Sequence, residues 1–214
     1  MDKTAIILAG GFSSRFGKDK GLLPLANKPL IKHVLDVVDS LVDEEIVVVS
    51  SKSQVEGYAK VVNANVKIVV DTLNMHSPLV GALTGFRAAM GEYALLLSCD
   101  TPFISKSVLA LLFDLSPNRN AVIPRWPNGY IEPLQAVYRV KPALESAEKA
   151  LASGKFSMRS MVDGLRGVRY ISTLVLQQLD PNLKTFFNIN TPIDLKRAER
   201  FLTRGFTNEN KRTL

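Results

Sequence analysis

Four short apolar runs, at residues 4–9, 46–49, 66–70 and 93–97, are each followed by a polar link and a stretch of helical period. Such runs, with no polar residue at every second place, belong to strands covered on both faces, and these are usually parallel strands joined by crossover helices. The first crossover is clearest: Leu30, Ile31, Val34, Leu35, Val38, Leu41 and Val42 recur at helical spacing behind Pro29, a residue suited to a first helical turn. Further helices are expected over 53–62, 78–90 and 105–114, with a strand at 120–124. This alternation predicts a doubly wound sheet. Past residue 125 the rhythm breaks. Pro124, Pro127, Asn128 and Gly129 mark a loop, and 133–140 reads as a strand running antiparallel to the others. Helices at 141–152, 157–163 and 173–179, a strand at 167–171, and a last helix opening at Thr191-Pro192 complete the pattern. The expectation is a single three-layer α/β/α Rossmann-like domain over 1–204, its sheet mainly parallel with one antiparallel strand, followed by a basic, flexible tail at 205–214.

Composition narrows the function. A chain of 214 residues can build one full core. No apolar run approaches the roughly 20 residues of a membrane helix. Met1-Asp2-Lys3-Thr4 enters a strand at once, which is unlike a signal peptide. The single cysteine, Cys99, excludes an internal disulfide framework and a cysteine-based zinc cluster. A cytoplasmic protein without membrane partners is expected. The net charge of +7 is unevenly spread. Lys196, Arg197, Arg200, Arg204, Lys211 and Arg212, against Glu199 and Glu209, place more than half of it in the last nineteen residues. No basic stripe is interleaved with aromatics, so nucleic acid is not the expected partner; a site for small polyanions is.

Phosphate chemistry is suggested by Leu8-Ala9-Gly10-Gly11-Phe12-Ser13-Ser14-Arg15-Phe16-Gly17-Lys18-Asp19-Lys20. It is not a Walker loop, because five residues separate Gly11 from Gly17 and Asp19 follows Lys18; nor is it a G-x-G-x-x-G dinucleotide fingerprint. Glycines at a strand's carboxyl end still let backbone N–H groups approach an anion, and Arg15, Lys18 and Lys20 could neutralise a triphosphate. The bland alternative is a solvated turn bearing surface cations.

Asp100 ends the fourth apolar run, the place where open α/β sheets put ligands and metals, and carboxylate oxygen suits Mg²⁺. Asp100-Thr101-Pro102 would serve equally as a turn. Asp71, at the end of the third run, could accept two hydrogen bonds from guanine; with Ser77-Pro78 it could also be a strand-to-helix turn. In Phe187-Asn188-Ile189-Asn190-Thr191-Pro192, Asn188 and Asn190 point alike if the chain is extended. Asn190 could then ligate metal or hold phosphate, or it could cap the last helix. His33 and His76 are too few and too scattered for a zinc site or a catalytic triad, and Cys99 reads as a small core residue rather than a nucleophile. Trp126 and Tyr130 could stack on an acceptor or cover core, and Arg159 could meet an acceptor phosphate.

Together these segments resemble the molybdenum cofactor guanylyltransferases (MobA-like), within the nucleotidyltransferase superfamily. The pattern LAGG-x-S-x-R-x-G-x-D-K-x-L-L-x-L-x-x-K-P-L is matched nearly throughout residues 8–30. Ser98-Cys99-Asp100-Thr101-Pro102-Phe103 is similar to the family's P-C-D-T-P-F, and Phe187-Asn188-Ile189-Asn190-Thr191-Pro192 to its F-N-V-N-T-P. Glu132-Pro133-Leu134 falls where members carry P-L. The resemblance spans about residues 4 to 200.

It implies transfer of GMP from GTP to a phosphorylated acceptor such as molybdopterin, with release of pyrophosphate and with Mg²⁺ as cofactor. It also implies that Leu8, Ala9, Gly10 and Gly11 lie against base and phosphates, that Lys20 and Arg15 meet the triphosphate, and that Asp71 contacts guanine. Asp100 would hold Mg²⁺. On the residues themselves, Asn190 is a further candidate ligand, and Asn188 and Arg159 are candidates for the acceptor. Ser77 departs from the usual glycine, Ser50-Ser51 stand where many members place asparagine, and Phe16 replaces a common methionine. The first two bear on base selectivity and ribose contacts. A phospholactate guanylyltransferase or a cytidylyltransferase is the nearest rival, and a GTP-binding protein without turnover a distant one.

Overall fold

The apolar runs at Lys3–Leu8, Glu44–Val49 and Tyr93–Ser98 lie side by side at the centre of one sheet. The computed structural model describes residues 2–10, 12–13, 18–71, 73 and 77–209. From β1 (Lys3–Leu8) the chain passes through a small ribbon, β2 (Phe12–Ser13) and β3 (Lys18–Asp19), to a 3-10 turn at Lys20–Leu22 and a second ribbon, β4 (Pro24–Leu25) and β5 (Lys28–Pro29). The alternation follows: α1 (Leu30–Val38), β6 (Glu44–Val49), α2 (Lys52–Ala59), β7 (Lys67–Val70), α3 (Pro78–Ala88), β8 (Tyr93–Ser98), α4 (Lys106–Asp114) and β9 (Ala121–Arg125). Then come β10 (Gln135–Arg139), α5 (Val140–Ala152), α6 (Met158–Asp163), β11 (Val168–Ser172), α7 (Thr173–Leu176) and α8 (Pro192–Glu209). Residues 205–209 are therefore helical.

The main sheet has seven strands in the order β11-β9-β10-β8-β1-β6-β7. β10 runs antiparallel to both neighbours and every other pairing is parallel. The expected architecture, including its one antiparallel strand, is the one observed. Alternate strand residues feed two cores. Ile7, Val47 and Leu95 meet α1, α2 and α4 on one face, while Ile6, Ile46 and Leu96 meet α3, α5 and α6 on the other. A third cluster joins Leu25, Leu30, Ile189 and Ala198, packing α8 and its approach against the second ribbon. Because β1 has β6 on one side and β8 on the other, the connections diverge at its carboxyl end, where such sheets open a crevice. Among the described residues no helix is long and apolar enough to cross a membrane.

Two differences from the sequence reading have simple causes. α1 ends at Val38, where the chain tightens through a bond from Leu41 N–H to the Val38 carbonyl (2.7 Å), yet Leu41 and Val42 still pack on the core. The apolar period thus outlasts the helix. The second ribbon turns through Ala26 (φ 49°) and Asn27 (φ 62°), a left-handed pair for which alanine gives no signal.

Glu45 on β6 is 5% exposed, and its Oε1 has no hydrogen-bond partner. Burial, reinforced by Asp39 and Asp36 and opposed by Lys32, pushes its carboxyl up to about 7. The folded state therefore keeps a proton that the unfolded chain releases near 4.5. Stability falls as pH rises through that window and levels above about 7. Glu45→Gln should stabilise the fold by about 2–3 kcal/mol at pH 8 and little at pH 4. Urea midpoints at the two pH values check this; a pH-independent difference would contradict it.

Candidate active site

A cleft of about 290 Å³ opens at the carboxyl ends of the central strands, lined by Leu8, Gly10, Lys20, Ser50, Asp71, Ser77 and Asp100 among others. Its polar end is a junction of three distant segments. The Lys20 ammonium contacts Asp100 Oδ2 and donates to Asn190 Oδ1 at 2.6 Å. Asp100 is 8% exposed, and its other oxygen, Oδ1, is buried without a partner. An orphaned buried acceptor costs about 1–3 kcal/mol, a penalty that a cation at this point would relieve.

Local chemistry delivers each member. Asp100 follows β8, and its carbonyl accepts from Ile189 N–H (3.0 Å), which ties the Asn188–Asn190 stretch beside the strand end. Capping of α8 falls to the neighbours of Asn190. Asp194 Oδ2 accepts from Thr191 N (2.9 Å), Thr191 Oγ1 (2.8 Å) and Asn190 N (3.1 Å), leaving the Asn190 side chain turned to Lys20. Phe201 meets Phe103 and Phe187 edge-on, those two rings are tilted against each other, and Arg197 lies over Phe187 and Lys184 over Phe201. Lys20 opens the turn after β3.

Two glycines owe their place to close approach. A Cβ on Gly10 would lie 3.0 Å from the Ser50 backbone nitrogen, and one on Gly21 would lie 2.6 Å from the Tyr58 hydroxyl. At the apolar end, Asp71 Oδ1 accepts from Leu73 N (3.1 Å) and Thr84 Oγ1 (3.2 Å), which orients that carboxylate at the rim. Ser77 caps α3 by accepting from Leu79 N (3.1 Å) and donates to the Phe156 carbonyl (2.5 Å).

Leu8, Gly10, Lys20, Asp71 and Asp100 line one cleft, and Asn190 joins them through its bond from Lys20. Ala9 is turned into the core. Asn188 donates to the Phe186 carbonyl (3.3 Å), and Arg159 pairs with Asp163 within α6; neither lines the cleft. Gly11, Arg15, Phe16 and His76 lie outside the described residues. Cys99 is a buried core residue whose thiol is pushed up by burial and by Asp100. His33 bonds the Leu25 carbonyl, and burial lowers its pKa. Trp126 donates to Glu132 Oε1 (2.6 Å) and packs on Phe186, so it covers core; Tyr130 is exposed.

Gln54, Tyr58 and Thr84 were not singled out from sequence. Gln54 had a signal, because Ser51-x-x-Gln54 reads as a capping box. The other two had none: a tyrosine and a threonine on helices carry no mark of the group they will bond.

Residues 5–168 match the MobA-like NTP transferase domain. The chain belongs to that family. It is 34% identical to the probable molybdenum cofactor guanylyltransferase of Methanosarcina mazei, over 91% of this chain and 88% of that protein. It is also 34% identical to the molybdenum cofactor guanylyltransferase of Desulfosudis oleivorans, over 94% and 96%. Among solved structures, molybdopterin-guanine dinucleotide biosynthesis protein A of Archaeoglobus fulgidus superposes with a TM-score of 0.80 at 28% identity, covering 94% of this chain and 99% of that one.

Gly21→Ala should lower stability by about 1–3 kcal/mol, since the Tyr58 ring is wholly buried and cannot swing aside. Urea titration decides; a Gly21→Ala variant as stable as the wild type would reject this packing.

Proposed function

We propose that this chain transfers GMP from GTP to the terminal phosphate of a molybdopterin-type acceptor and releases pyrophosphate. The observation that carries the reading is the junction of Lys20, Asp100 and Asn190 at the mouth of a cleft whose far rim holds Asp71. A cation and a carboxylate meeting at a strand end suit a triphosphate with its counter-ion. A carboxylate oriented at the rim suits the paired donors of guanine.

The acceptor's phosphate oxygen attacks the α-phosphorus in line, the bond to the bridging oxygen breaks, and pyrophosphate departs. That nucleophile is already ionised at neutral pH, so no strong base is required. The protein's share is positioning and charge neutralisation. Lys20 holds phosphate oxygens, and Arg15 would add a second cation. Leu8 and Gly10 form the floor under the nucleotide, while Asp71, braced by Thr84, reads the base.

The oxygen donors of Asp100 and Asn190 fit Mg²⁺, and the orphaned Oδ1 of Asp100 awaits such a partner. Among the described residues no three acidic, histidine or cysteine side chains converge, which suits an ion that completes its shell with water and substrate phosphates. When bound, Mg²⁺ would offset charge on the phosphates. Asn188 and Arg159 stand further off as candidates for acceptor contact.

Pyrophosphate release with GTP and molybdopterin tests the reading, and a screen of four triphosphates and several phosphorylated acceptors separates it from cytidylyl or phospholactate guanylyl transfer. Lys20→Ala should lower kcat/KM by about 100-fold or more, and Asp100→Ala should nearly abolish turnover. Wild-type rates in both variants would remove them from the mechanism. Asp71→Ala should cut the preference for GTP over CTP by about 10-fold. An unchanged ratio would take base reading away from Asp71.

A further inference from the structure

The buried face of α2 carries Gln54 and Tyr58, one helical turn apart. The Tyr58 hydroxyl donates to the Ala9 carbonyl at 3.0 Å, where the glycine segment leaves β1. Gln54 uses both ends of its amide. Its Oε1 accepts from Ser50 N (2.8 Å), Ser50 Oγ (2.8 Å) and Ser51 N (3.1 Å), and its Nε2 donates to Asp19 Oδ1 at 2.6 Å. The bond from Ser51 N is ordinary helix capping. The bond to Asp19 is not, because it reaches across 35 residues to the position immediately before Lys20.

We propose that Gln54 is a positioning residue for triphosphate handling. With Tyr58 it makes α2 a two-point clamp on the glycine segment: Tyr58 fixes Ala9 where the segment begins, and Gln54 fixes Asp19 where it returns. Lysine has a long, freely rotating side chain, so its ammonium meets Asp100 and Asn190 reproducibly only if its backbone is held. A short, part-buried bond from an amide to a carboxylate is strong enough to do this. Gly21 and Tyr58 pack against each other on the far side of Lys20, so the turn is gripped both before and after the lysine. The identity of the ligand rests on the function proposed above; the clamp itself does not.

A variant exists that spares the helix cap and breaks only the clamp. Glutamate serves as well as glutamine at the third position of a capping box, so Gln54→Glu keeps an acceptor for Ser50 and Ser51 but sets a second carboxylate against Asp19. Asp19→Asn in the same chain restores a donor–acceptor pair with its polarity reversed. Two readouts are needed: amide hydrogen exchange over residues 8–23, and steady-state pyrophosphate release with GTP varied.

Gln54→Glu should raise exchange in that stretch by about ten-fold or more and lower kcat/KM for GTP by about 10- to 100-fold, mainly through KM. Asp19→Asn alone, whose side-chain oxygen can still accept, should stay within about threefold of wild type in both readouts, and the double variant should return to that range. Unchanged exchange in Gln54→Glu, or a double variant no better than Gln54→Glu, would overturn the clamp. If the wild-type chain releases no pyrophosphate from GTP, the functional reading fails, and the exchange pattern alone still decides for or against Gln54.

Discussion

One ammonium group organises the site. Lys20 is the cation on which Asp100 and Asn190 converge, from positions 80 and 170 residues further along the chain. Asp100 is nearly buried, and a buried carboxylate without a counter-charge would be severely penalised. Lys20 supplies that charge for one oxygen and leaves the other unmatched. The result is a site in which further positive charge is wanted, beside the ammonium to which the proposed function assigns the phosphates.

The fold produces this convergence by simple means. Parallel strands end together, so residues following β1 and β8 become neighbours although the sequence separates them widely. The Asn190 stretch arrives from outside the sheet. It is held by a backbone bond from Ile189 to Asp100 and by apolar packing of Phe187, Ile189 and Ala198 against Phe103 and Leu25. Side chains that do no chemistry thus set the position of those that could. The same division holds at the other rim, where Thr84 orients Asp71 while Ser77 caps α3 and fastens it to the chain before α6.

Much of this was legible in the sequence, for reasons that differ by residue. The strands at Lys3–Leu8 and Tyr93–Ser98 announce themselves because both faces are buried, leaving no room for polar alternation. Asp100 stands out because a charge directly after such a run must be at the sheet's rim. Asn190 was ambiguous between capping and ligation; Thr191 and Asp194 take the capping role, a matter of three-dimensional hydrogen bonding, and the Asn190 side chain meets Lys20 instead. Arg159 pairs with Asp163 at i,i+4 on an exposed helix face, a pairing the sequence spacing already permits. Gln54 and Thr84 act through contacts to distant residues, and no local pattern encodes those partners.

The central claim is that one carboxylate and one ammonium at this junction serve the metal and the phosphates of a nucleoside triphosphate. The most direct measurement is a crystal structure of the chain grown with Mn²⁺ and a non-hydrolysable GTP analogue, with the metal located by its anomalous signal. The account predicts the metal bonded to Asp100, the triphosphate within hydrogen-bond reach of Lys20, and guanine at Asp71. Metal and phosphates bound away from Asp100 and Lys20 would contradict it.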